Sequence, residues 1–72
     1  MNTAAWIVAY ASAAGVTAPS PEEIDQLLQL AGVAAHASER TAAPITCWIA
    51  AKANITPAEA LALAESVRPN DV

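Results

Sequence analysis

Twice in this chain a hydroxyl residue is followed by proline and, three positions on, by glutamate: Ser20-Pro21-Glu22-Glu23 and Thr56-Pro57-Ala58-Glu59. In such a stretch the hydroxyl caps the open amides of a new helix and proline sits at the first helical position, where its missing N–H costs nothing. The glutamate then returns a hydrogen bond to the cap. Two helix starts are thus written into the chain, and the residues around them favour helix as well. Twenty of the 72 residues are alanine, the best helix former, against two glycines. The expected fold is all-α, a compact bundle of four short helices at about 3–14, 21–38, 43–53 and 57–67. It forms one domain over residues 1–72, with 69–72 frayed at the end.

Residues 3–14 read as the first helix, with Trp6, Ile7, Tyr10 and Ala14 on one face and Gly15 placed to end it in a left-handed conformation. In the second, Ile24, Leu27, Leu28, Ala31, Ala34 and Ala35 form an apolar stripe, widened by Leu30 and Val33. Gly32 interrupts that stripe at a cost of about 1 kcal/mol relative to alanine, which suggests close approach of another backbone or a break. The third helix starts near Ala43, since Pro44 is tolerated only in a first turn. It directs Ile45, Trp48, Ile49 and Lys52 to one side, and Asn54 can close it. Ile55 then packs back on Ala60, and the fourth helix runs through Leu61, Ala64 and Val67 until Pro69 stops it. The run Trp6 to Ala11 echoes Trp48 to Ala53 and would, if structural, make two hairpins packed face to face. In so alanine-rich a chain, chance is the better account.

Alanine makes helices but supplies little core. Each buried methyl is worth about 0.8 kcal/mol, and there are fifteen Leu, Ile and Val together and no Phe. Since 56% of the chain is apolar and 14% charged, a lone copy has too few polar groups to cover itself, and an exposed apolar patch is expected. That predicts a partner, either a larger protein subunit or a second copy. The formal charge of −4, with Arg40, Lys52 and Arg68 as the cations, argues against nucleic acid, which requires a basic stripe. One cysteine makes no internal disulfide. Residues 1–21 carry no charged side chain, and Ala11-Ser12-Ala13 loosely resembles a signal-cleavage site. No Lys or Arg stands near the start, however, and the segment is rich in alanine rather than leucine. Gly15, Pro19 and Pro21 interrupt any membrane span. The expectation is a cytoplasmic protein.

His36 and Cys47 are the candidates for nucleophilic or metal chemistry, but no Asp or Asn is placed to orient the imidazole, and four metal ligands are not in sight. No enzyme activity, cofactor or metal is expected, and Cys47 reads as a small apolar core residue. His36 and Arg40 are four apart and share one side of the second helix if it extends that far. There they offset the helix dipole, or else present donors to a carboxylate or phosphate unless Glu39 neutralises Arg40. Glu22, Glu23 and Asp25 fit a solvated helix start. Trp6, Tyr10 and Trp48 are either core residues or, where exposed, interface anchors.

The segment His36-x-x-x-Arg40-Thr41-Ala42-Ala43-Pro44-Ile45-Thr46, behind the acidic, Leu-rich helix from Glu22 to Ala31, resembles a family of short actinobacterial helical domains of uncharacterised function. Members of that family occur alone or fused to molybdenum cofactor guanylyltransferase. They carry a tryptophan in the first helix, a His-x-x-x-Arg step ending the second, then Pro-Ala-Ala-Pro-Leu-Thr and a final apolar helix pair. The likeness spans roughly Trp6 to Val67, and departs from the family at Thr41, where proline is usual, and at Cys47 and Trp48. It implies an accessory part in molybdenum-cofactor handling or in a molybdenum enzyme, with the matching residues His36, Arg40, Ala42, Ala43, Pro44 and Thr46 as the surface to test; as candidate contacts for a partner or an anion we take His36, Arg40, Thr41, Pro44 and Thr46. It implies no nucleotide transfer, because two glycines build no phosphate loop. The leading expectation is a non-catalytic adaptor that docks onto a larger cytoplasmic enzyme. The alternatives are a free-standing homo-oligomeric module or a minimal cofactor-binding chaperone using Arg40 and His36.

Overall fold

The computed structural model describes residues 1–67, and within them the fold is an all-α bundle of four helices: α1 (Thr3–Ala14), α2 (Pro21–Ala37), α3 (Ala42–Lys52) and α4 (Pro57–Ser66). The expected fraying of 69–72 and the stop at Pro69 lie outside those residues.

Local chemistry accounts for most helix ends. The Ser20 hydroxyl accepts the Glu23 N–H at 3.1 Å while the Glu23 carboxylate accepts the Ser20 N–H at 2.8 Å, and Thr56 with Glu59 repeats both bonds at the same distances. Asn2 caps α1 by accepting the Ala5 N–H. At its other end Gly15 takes φ 77°, which glycine alone adopts without penalty, and the Gly15 and Val16 amides close back on Ser12 and Ala11. Asn54 does the same for α3 at φ 61°, its amide bonding Ala51 and that of Ile55 bonding Ala50. Asparagine is the usual substitute for glycine in that role.

α2 is the spine of the bundle. Both α3 and α4 pack against it, and these are the two substantial helix pairings among the described residues. The centre is Leu30, 1% exposed, which meets Ala50 of α3 and Ala60 of α4, with Leu27, Cys47, Ile55 and Ala64 packed around them. Ile55 and Ala60 thus share the core, as the cap at Thr56 predicts. The face of α2 differs from the expected stripe: Leu30, read there as a flank, is its middle, and Leu28 stands 68% exposed.

In α3 the small residues Cys47, expected in the core, and Ala50 pack toward α2, whereas the row Ile45, Trp48, Ile49 and Lys52 is exposed. A helix apolar on nearly every side has no periodicity to fix its orientation, and close approach to α2 selects the small side. Gly32 neither breaks α2 nor admits another backbone, since a Cβ built there meets nothing within 4 Å. α2 ends at Ser38 (φ −137°, ψ −102°). α3 begins one residue before the expected start.

α1 stands apart. Of its residues only Ala11 is buried and Ile7 half-buried, and it makes no substantial pairing with another helix. The echo between Trp6–Ala11 and Trp48–Ala53 therefore does not extend to packing.

Candidate functional site

The three packed helices leave a space they do not fill. α3 and α4 both lie on α2 without a substantial pairing of their own. Their facing sides carry alanines, Ala50 and Ala53 on one and Ala60 and Ala64 on the other, too short to close the gap. The result is an open groove of about 270 Å³. Each wall is a stripe at helical spacing: Leu30, Val33, Ala34 and Ala37 from α2; Ala42, Thr46, Ile49 and Ala53 from α3; Ala60, Leu63, Ala64 and Val67 along α4 and its cap. Among the described residues the lining contains no ionisable side chain, and its polar side chains are those of Ser38 and Thr46. Ile49, Leu63 and Val67 are each more than half exposed at its margins.

A site of this make-up offers burial. Sites that enclose a small molecule measure roughly 300 to 1,000 Å³ and bring several polar groups to bear on one point. This groove is smaller, open along its length and almost without polar groups, which suits a row of apolar side chains entering from a partner helix.

Of the residues singled out from sequence, Thr46 lines the groove and is half-buried. His36 is exposed in the last turn of α2, and Arg40 lies beyond the helix end, in the turn where the Ala42 amide bonds Glu39 and the Ala43 amide bonds Arg40. They do not share a helix, because the backbone at Ser38 leaves the helical region between them. The argument from four-residue spacing is therefore lost. Side-chain hydrogen bonds among the described residues are those of the caps, of Gln29 to Asp25 and of Ser66 to Leu63, so none joins His36, Arg40 and Glu39. Thr41 is exposed and, although it precedes α3, makes no side-chain cap bond; Pro44 is exposed in the first turn. Cys47 packs on the core, whereas His36 is exposed.

The three aromatic residues are all on the surface. Trp6 and Tyr10 stack on α1 with ring centroids 5.1 Å apart and planes 8° from parallel. Trp48 carries the Lys52 ammonium 5.4 Å above its ring, a contact worth about 0.5–1 kcal/mol at an exposed site. Val33, Ala37, Ile49, Ala53 and Leu63 were missed as site residues. The signal for them was the row of small and apolar residues at spacings of three and four on three successive helices.

Among the described residues no group of three or more His, Cys, Asp and Glu could hold a metal ion, and no helix is long and apolar enough to cross a membrane. Comparison with curated proteins and with solved structures finds no match. A family model described as Domain of unknown function (DUF6457) matches residues 1–69, nearly the full chain, and the chain belongs to that family.

Proposed function

We propose that this member of the DUF6457 family is a non-catalytic helical adaptor that docks onto a larger protein by receiving an apolar helix in the groove between α3 and α4. The observation that carries this reading is the groove itself, three converging apolar stripes around about 270 Å³ of unfilled space. Contiguous apolar surface of this kind marks interaction sites in small proteins. A helix entering it would place residues at spacings of three, four and seven against the three walls.

The likeness of the His36 to Thr46 segment to domains fused to molybdenum cofactor guanylyltransferase makes a cytoplasmic molybdenum-cofactor enzyme, or the machinery that matures one, the first partner to seek. Tagged protein recovered from its host tests this. A larger enzyme is expected to co-elute with the wild type and to be lost with Ile49→Glu, which places a charge at the margin of the groove. Recovery of this chain alone, or of the same enzyme with both proteins, overturns the reading.

A further inference from the structure

Among the described residues two apolar surfaces have no partner: the aromatic side of α1 and the groove over α2. We propose that they cover one another between two copies, each α1 seated in the groove of the other, so that the free protein is a homodimer with reciprocally exchanged helices. The inference shares the groove with the docking reading but is independent of any partner enzyme, which would have to displace α1.

Charge is the first argument. The described residues of the groove carry no ionisable group, so the face an occupant lays in it must be uncharged, and α1 meets this on every side, with no charged side chain from Thr3 to Ala14. Shape is the second. Twelve residues of helix span about 18 Å and the eleven of α3 about 16 Å, so helix and wall match in length. Trp6 and Tyr10 form one stacked ridge, 55% and 62% exposed, and the alanines around them let the helix approach closely.

Area is the third. Trp6, Val8 and Tyr10 on α1 and Ile49, Leu63 and Val67 at the groove are each more than half exposed, and a stable pair buries on the order of 800 Å² from each partner. Filling its own groove is the competing arrangement. The Gly15 cap sets the exit of α1 and the Ser20 cap sets the entry of α2, which leaves Val16 to Pro19 to turn α1 back, and the structure holds it off α3 and α4. One helix given and one received per copy closes a two-fold pair with nothing left over.

Light scattering on the full chain, with Trp6→Glu in α1 and Ile49→Glu in the groove, decides the matter. The wild type is expected at twice the chain mass and each variant at the chain mass, with helicity retained by circular dichroism. An equimolar mixture of the two variants is expected to associate more than either alone, as a pair weaker than the wild type, because the intact α1 of the Ile49 variant fits the intact groove of the Trp6 variant and one of the two seats is restored. Should Ile49→Glu lose helicity, Leu63→Glu replaces it. Trp6→Glu, on a helix outside the core, decides by itself whether α1 holds the pair together. A monomeric wild type, a dimer that survives Trp6→Glu, a mixture no more associated than either variant alone, or growth beyond two copies each overturns the proposal.

Discussion

Removing the isobutyl group of Leu30 would empty the point at which three helices meet. At 1% exposed, Leu30→Ala is expected to cost about 2–5 kcal/mol, comparable to the entire stability of a small domain, and to abolish a cooperative thermal transition monitored by circular dichroism. Ile49→Ala, at a residue 55% exposed, is expected to shift stability by less than about 1 kcal/mol. In the sequence Ile49 falls in a row of bulky residues and Leu30 on the flank of a stripe, and neither position announces its burial. Bulk is a poor guide to burial in a chain whose helices are apolar almost all round. Gly32→Ala is expected to stabilise by about 1 kcal/mol, since the added methyl meets open space; a higher denaturant midpoint with an unchanged slope would show it.

Helix boundaries were legible wherever they are set by local bonds. The caps at Ser20 and Thr56, the Gly15 and Asn54 ends and the Ile55–Ala60 contact follow from side chains within a few positions of one another. Ser20→Ala and Thr56→Ala are each expected to cost about 1 kcal/mol in urea denaturation. Asn54→Ala, forced into a left-handed conformation, is expected to cost about 1–2 kcal/mol. The end of α2 was legible as a position, expected at about 38 and found at Ala37, but its cause was not. No glycine or proline marks Ser38, and the helix stops there where the chain turns to bring α3 back along α2, a tertiary demand. The groove was illegible for the same reason: its walls come from three helices, and only their mutual placement turns three stripes into one cavity.

With α1 outside the packed core, the chain divides into a three-helix body and an appended helix. Deleting residues 1–18 is expected to leave the helicity of α2 to α4 in place while abolishing any self-association. A body that unfolds without α1 would show that α1 supports it through contacts absent from this structure. The all-α class and helix count were readable because alanine and capping residues decide them locally. The position of α1 was not, since an uncharged helix rich in alanine fits equally well inside a bundle or against another molecule.

Among the described residues the walls of the groove hold no group that ionises, so an uncharged face lodged against them takes up or releases neither protons nor counter-ions. Moderate salt therefore leaves the fit untouched. Temperature does not, because burial of apolar surface lowers the heat capacity and its driving force fades on cooling. A complex assembled through this surface loosens when chilled and tightens again on warming.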